Sequence, residues 1–144
     1  MKQFLEELDL IEQQSTKYEQ VFAKEEQDEA LIIQQFQAAI PIAKKLAQHS
    51  SNAANLAKQL QSTSKDKKWL SYFENMTEIL AGYSQGFQAQ SQIFSKLISA
   101  AKAKDEETIN KLSSQFESVS TQILELSQRM EKLNQDISEE DLSK

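Results

Sequence analysis

Few residues in this sequence are of the types that carry catalysis or bind metal ions. The chain contains one histidine, His49, and no cysteine, which excludes disulfides, thiol catalysis and thiolate metal sites. A di-iron site in a helical bundle needs inward-facing glutamates and Glu-x-x-His pairs, and no glutamate lies three residues before His49. No serine motif that would pair with His49 is recognisable. The sequence therefore predicts no catalytic, cofactor-binding or metal-ligating residue, and we expect a protein that is not an enzyme.

The two glycines of the chain could in principle belong to a phosphate-binding loop. Gly82 and Gly86 are four residues apart, but they form neither a Gly-x-Gly-x-x-Gly nor a Walker pattern, and no strand is expected before them. Their place in a helical pattern favours close packing against a neighbouring helix, with a functional hinge as the alternative. The acidic cluster in residues 25–29 shows no paired inward carboxylates and is most simply a solvated surface.

Apolar residues recur at helical spacing along most of the chain, so long helices must carry these side chains. Two glycines and one proline are too few for the turns of a β-rich fold. The most regular segment is residues 105–138, where apolar residues alternate at intervals of three and four. They are Ile109, Leu112, Phe116, Val119, Ile123, Leu126, Met130, Leu133 and Ile137. This pattern is typical of a helix packed lengthwise on other helices.

A second heptad pattern covers residues 67–103. Its members are Trp69, Phe73, Met76, Leu80, Tyr83, Phe87, Gln90, Phe94, Leu97 and Ala101. Gln90 is the only polar member, and a polar residue in such a seam disfavours slipped registers. A third apolar pattern covers residues 28–62 and contains Pro41. Because the apolar phase persists across Pro41, we expect a kink there and not the end of the helix.

Residues 1–26 are predicted to form an amphipathic helix that precedes these three long helices. The predicted fold class is all-α: an elongated antiparallel bundle of three long helices with coiled-coil-like heptad packing, in a single domain covering residues 1–144. The N-terminal helix either folds back as a shorter fourth helix or extends away to another surface. Asp66 and Asp105 are expected to cap the second and third long helices, and the tail at residues 139–144 is expected to be frayed.

The residues beside the apolar stripe of the last helix distinguish a bundle from an isolated coiled coil. In two-stranded coiled coils the flanking positions are usually charged. Here one flanking column is small and neutral, and consists of Ser113, Ser120, Ser127 and Asn134. Such a column can lie against a third helix, so the sequence favours a bundle over a free coiled-coil dimer.

Charge and hydropathy restrict the partners and the compartment. The formal net charge is -6, the acidic excess lies towards the two ends of the chain, and Arg129 is the only arginine. Nucleic-acid binding requires clustered cationic residues and is not expected. No apolar run approaches the roughly 20 residues that cross a bilayer, and the N-terminus lacks the apolar core of a signal peptide. We expect a cytoplasmic protein, or one exported without a cleaved signal peptide.

The chain has more apolar stripe than a three-helix bundle needs, which favours a protein–protein interaction module. Adaptors, scaffolds and secretion or assembly chaperones share this size, acidity and lack of catalytic groups. The partner would be another protein or a second copy of the chain. The candidate partner-binding residues are Phe4, Leu8, Ile11, Tyr18, Phe22, Trp69 and Tyr72. For Trp69 a core position at the end of the bundle is the favoured alternative.

A lipid or granule surface is the alternative partner. Three long helices preceded by an amphipathic helix are broadly similar to curvature-binding BAR modules, and a Gln-rich, cysteine-free, acidic helical protein is broadly similar to the phasins that coat polyester granules. These resemblances imply peripheral binding to a surface. The polar face of the N-terminal helix is acidic, whereas helices that bind anionic membranes carry Lys and Arg there. The sequence therefore disfavours binding to an anionic membrane.

Overall fold

Four long helices form the protein in a computed structural model, which describes residues 1–142. They are α1 (Lys2–Val21), α2 (Glu29–Thr63), α3 (Lys67–Lys102) and α4 (Glu106–Leu142). No strand occurs among the described residues, and the helices pack against one another, which confirms the predicted all-α bundle. None of the described helices has the length and apolar character needed to cross a bilayer.

Aspartate side chains begin the three long helices. Asp28 Oδ1 accepts the Ala30 N–H at 2.8 Å, and Asp66 Oδ1 accepts the Lys68 N–H at 2.9 Å. At α4, Asp105 Oδ1 accepts the Thr108 N–H at 3.2 Å. These bonds satisfy amides of the first turn that have no partner within the helix. The capping roles predicted for Asp66 and Asp105 are confirmed.

α2 continues through Pro41 as one helix of 35 residues, so the proline does not end it, as expected. The C-terminal boundary of α4 differs from the expected one. α4 continues to Leu142, beyond the predicted end at residue 138, and residues 139–142 are therefore helical instead of a frayed tail. Residues 143–144 of that predicted tail lie outside the described residues.

Small residues set how closely the helices approach. The face of α2 towards the interior is rich in buried alanine, at Ala39, Ala43, Ala53, Ala54 and Ala57. α4 approaches α3 over the two glycines: a Cβ on Gly82 would lie 2.7 Å from Leu126 Cδ1, and one on Gly86 would lie 2.8 Å from Ile123 Cγ1. Both distances are shorter than a van der Waals contact. The glycines therefore serve close helix packing, as their spacing predicts.

The bundle is closed on three of its four sides. The chain reverses after α1, so α1 packs on α2, α2 on α3, and α3 on α4. The N-terminal helix thus folds back as the fourth helix. Within the described residues, however, no Cα atom of α1 lies within 8 Å of a Cα atom of α4. In a closed four-helix bundle the first and last helices would also pack side by side. The fourth side is open.

Candidate functional site: a groove between α1 and α4

The open side of the bundle contains a cleft of about 670 Å³. We call it the α1/α4 groove and define it by the residues that line it, which come from all four helices. They are Tyr18, Glu19, Phe22, Phe36, Gln90, Phe94, Leu97, Ser113, Phe116, Glu117 and Ser120. Five of them are aromatic, so the floor of the groove is apolar and rigid.

Phe94 is the centre of the aromatic floor. Its ring stacks on Phe22, the residue after α1, and on Phe36 of α2, with ring centroids 5.7 and 5.4 Å away. Phe116 of α4 lies 5.2 Å from it, and Tyr18 of α1 lies 6.2 Å away. Phe94 is buried, whereas the four rings around it remain partly accessible. The floor therefore offers apolar ring surface to a ligand while Phe94 holds the rings in place.

A chain of hydrogen bonds crosses the floor from α1 to α4. The Tyr18 hydroxyl donates to Gln90 Oε1 at 2.6 Å, and Gln90 Nε2 donates to Ser120 Oγ at 3.0 Å. Gln90 is 3% exposed, so both bonds satisfy a buried amide that would otherwise be costly. Burial raises the pKa of Tyr18 well above its ordinary value, so its hydroxyl stays protonated at an alkaline pH at which an exposed tyrosine ionises.

The neutral column of α4 continues this polar contact with α3. The Tyr83 hydroxyl donates to Ser127 Oγ at 2.6 Å, and the Tyr72 hydroxyl donates to Asn134 Oδ1 at 2.9 Å. Together with Ser120, these residues bond to α3, whereas the sequence suggested that the column lies against a third helix. Burial also raises the pKa of Tyr72 and of Tyr83.

The edges of the groove are acidic. Glu19 of α1 and Glu117 of α4 line it, and both are exposed. Residues seven apart on a helix lie two turns along the same face. Glu12 therefore extends the edge of α1, and Glu131, two heptads beyond Glu117, extends the edge of α4; both are exposed.

The same two edges carry the most exposed leucines of the described residues. Leu5 precedes Glu12 by seven residues on α1 and is 54% exposed, and Leu124 follows Glu117 by seven residues on α4 and is 58% exposed. Most apolar residues of the α4 stripe are also only half-buried, and Leu112 alone among them is buried. The groove thus combines an aromatic floor with edges that are partly apolar and partly acidic.

The structure brings only two of the predicted partner-binding residues to the groove. Tyr18 and Phe22 line it. Phe4 and Ile11 are buried, at 1% and 8% exposure, and Leu8 is half-buried against the same core. These three residues of α1 pack inside the chain because α1 folds back.

The aromatic pair at the start of α3 also belongs to the core. Trp69 is half-buried and stacks on Phe73 with ring centroids 5.8 Å apart, and Tyr72 is 8% exposed. Phe4 also contacts Phe73 edge-on, with ring centroids 5.8 Å apart. The alternative interpretation of Trp69, as a core residue at the end of the bundle, agrees with these contacts.

The single histidine makes a structural contact between helices. His49 Nδ1 of α2 lies 2.8 Å from Glu7 Oε2 of α1, and Asn52 Nδ2 donates to Glu7 Oε1 at 3.5 Å. No group of three or more metal-ligating side chains occurs in the part of the chain that the structure describes. His49 therefore contributes to the attachment of α1 and not to a cluster of ligands.

Sequence patterns do not reveal most of the groove. Phe36, Phe94, Phe116, Glu19 and Glu117 were not predicted as site residues, since heptad spacing shows only that a side chain lies on an apolar or polar face. Their convergence depends on which helices meet, and in which register. Comparisons of the chain with protein-family models, with curated proteins and with solved structures found no match.

Proposed function

We propose that this protein is a non-enzymatic protein–protein interaction module that binds a helix of a partner in the α1/α4 groove. Adaptors, scaffolds and assembly or secretion chaperones work in this way. The observation that carries the proposal is the open fourth side of the bundle above an aromatic floor. An amphipathic helix in such a position would cover the half-buried stripe of α4 and contact α1 on its other flank, which is the helix-in-groove mode of recognition.

The polar groups of the groove support binding better than catalysis. Tyr18, Gln90 and Ser120 are hydrogen-bonded to one another, and the raised pKa of Tyr18 opposes formation of a tyrosinate nucleophile or base. Glu19 and Glu117 are exposed, on separate helices. An arrangement for general acid–base catalysis would instead hold a titrating pair at a substrate with pKa values tuned by burial. The groove has the composition of a docking surface.

Photochemical cross-linking from inside the groove tests the proposal. The chain has no native cysteine, so Ser113→Cys, at an exposed position of the groove, can be labelled with a benzophenone maleimide. Gln88→Cys is the matched control, because Gln88 is exposed on the polar cleft between α2 and α3. In extract of the source cells, the groove position should give one discrete protein adduct that the control position does not give.

A second variant tests whether formation of the adduct depends on the groove. Leu5→Ser with Leu124→Ser removes the exposed apolar residues of both edges and should weaken the adduct, whereas Leu70→Ser, at a leucine that is 38% exposed elsewhere, should not. Circular dichroism confirms that each variant remains helical. Equal adducts from the groove and control positions, or no adduct from either, would contradict the proposal.

Binding to an uncharged lipid or granule surface is the second candidate function, and the alignment of Leu5 and Leu124 on the same open side favours it. Flotation with neutral phosphatidylcholine vesicles separates the two functions. Vesicle binding that is lost in the variant lacking both leucines would support surface binding. If the wild-type protein does not float with the vesicles, surface binding is excluded as the function.

A further inference from the structure

The edges of the α1/α4 groove carry charge of one sign. Glu12 and Glu19 follow one edge, and Glu117 and Glu131 follow the other; all four are exposed. No lysine or arginine belongs to these two columns, which Leu5 and Leu124 complete. Charge of one sign on both sides of an apolar cleft focuses the electrostatic potential within it.

The nearest cationic residues lie on other faces of the same helices. Lys17 precedes Glu19 by two residues and is therefore about 160° away around α1. On α4, Lys111 precedes Glu117 by six residues and is about 120° away, and Lys132 follows Glu131 by one residue and is about 100° away. Arg129 of α4 points to α3, with its Nη1 atom 3.5 Å from Glu78 Oε1. These cations do not neutralise the edges.

We propose that the occupant of the α1/α4 groove is a basic amphipathic helix of a partner protein. This inference rests on the proposed function and specifies the chemistry of the partner. The apolar face of the helix would lie on the rings around Phe94, and Lys or Arg residues on both of its flanks would face the four glutamates. The exposed column from Leu5 to Glu19 on α1 continues past the residues that line the groove and is about 21 Å long at 1.5 Å per residue, which matches a helix of four turns.

A second copy of this chain does not fit the groove. The chain has a formal net charge of -6, and the open flank of α4 carries Glu117 and Glu131. Docking α4 of another copy between the edges would bring carboxylates against carboxylates. Such like-charge contacts disfavour a partner by several-fold or more in affinity.

Designed peptides test the charge rule without knowledge of the natural partner. The first probe is a helical peptide of about 18 residues, long enough to span the groove, with a Leu/Phe stripe flanked by lysines. The second probe has the same stripe flanked by glutamates. Fluorescence anisotropy of the labelled peptides gives Kd for the full chain. The lysine peptide should bind, its Kd should increase with salt, and the glutamate peptide should bind at least about tenfold more weakly.

Charge reversal at the edges should exchange these preferences. In Glu19→Lys with Glu117→Lys, the lysine peptide should lose about tenfold or more in affinity and the glutamate peptide should gain. The matched control is Glu6→Lys with Glu125→Lys, which makes the same change in net charge at exposed glutamates on the outer faces. It should leave both Kd values within about threefold of the wild type. Glu19→Gln with Glu117→Gln should give Kd values between those of the wild type and those of the charge-reversed variant. It tests the role of the two carboxylates without introducing cations.

Three results would overturn the inference, and they differ in whether the proposed function survives. If both peptides bind equally and independently of the edge variants, the groove accepts helices but charge does not select them, and the proposed function survives. If neither peptide binds while cross-linking from Ser113→Cys succeeds, the partner is not a simple amphipathic helix. If light scattering shows a dimer that the peptides do not dissociate and that edge reversal disrupts, a second copy occupies the groove.

Discussion

The hydroxyl of Tyr18 donates a 2.6 Å hydrogen bond to Oε1 of Gln90, a residue 72 positions away in the sequence. This bond joins the N-terminal helix to α3 across the floor of the groove, and Gln90 passes the connection on to Ser120 of α4. Two helices whose backbones stay apart are thus held in register by one buried amide. The polar residue in the seam of α3 positions both walls of the groove.

Tyr18→Phe should lower the free energy of unfolding by about 1–2 kcal/mol, because it leaves the buried Oε1 of Gln90 without its donor. In a double-mutant cycle with Gln90→Leu, the two losses should not add, since either change removes the same bond. Tyr83→Phe is the control: its acceptor Ser127 is partly accessible to water, so the loss should be smaller. Urea unfolding followed by circular dichroism measures all four variants. Additive losses would show that the bond does not contribute.

Ser50→Ala should stabilise the protein by about 1 kcal/mol. Ser50 is fully buried on the alanine-rich face of α2, and its hydroxyl oxygen has no hydrogen-bond partner among the described residues. Alanine would remove the unsatisfied group without leaving a large cavity. Ser51→Ala, at the half-buried neighbouring position, controls for the higher helix propensity of alanine. A loss of thermal stability in Ser50→Ala alone would show that the hydroxyl is satisfied in solution.

The two glycines of α3 should respond differently to alanine. A helical Gly→Ala change gains up to about 1 kcal/mol in propensity. At Gly82 the new Cβ meets Leu126 Cδ1, the end of a flexible side chain that can move aside. The gain in helix propensity should therefore offset the steric cost of the contact. At Gly86 it meets Ile123 at Cγ1 and Cδ1, at 2.8 and 3.0 Å, and a β-branched side chain has little rotamer freedom in a helix.

Gly86→Ala should therefore destabilise the protein while Gly82→Ala is close to neutral, as measured by thermal unfolding. Ile123→Ala should lower the free energy of unfolding less in the Gly86→Ala background than in the wild type. The new Cβ at position 86 then occupies part of the space that the isoleucine side chain leaves. Equal stability of the two glycine variants would contradict the packing of α4 described above.

The three tyrosines of the chain should ionise only when the protein unfolds. Burial raises the pKa of Tyr18, Tyr72 and Tyr83, so the folded state favours the neutral phenols. Their contribution to stability is fully present below the unfolded pKa of about 10 and is lost as the pH rises through the higher pKa values of the folded state. Tyrosinate absorbance and helical circular dichroism should change together above pH 10. A tyrosine that titrates near pH 10 with the helicity intact would contradict this.

The helices themselves follow from local chemistry, and the sequence predicts them closely. Residues 67–103 were predicted as a helix and α3 spans Lys67–Lys102, because heptad spacing and the Asp66 cap are properties of neighbouring residues. The small column of α4 suggested contact with a third helix, but Ser127 bonds to Tyr83 of α3, the helix on which α4 already packs.

The groove could not be predicted in the same way. The sequence identifies Tyr18 and Phe22 as apolar residues of a stripe, but the stripe does not show which helix they meet. Phe36 and Phe116 reach Phe94 only because three helices bring them together in one register. The distance between α1 and α4 depends on the combined sizes of all side chains between them. No local sequence pattern predicts that distance.

The open side of the bundle also determines how the molecule comes apart. The backbone of α1 approaches that of α2, the backbone of α4 approaches that of α3, and α1 and α4 do not approach each other. Each terminal helix can therefore detach while the opposite one stays docked. We expect amide hydrogen exchange to show two separate local unfolding events of low free energy, one for α1 and one for α4. The α2–α3 hairpin, whose connecting loop is three residues long, should exchange more slowly than either. A partner that bridges the two terminal helices would merge these openings into a single cooperative unit.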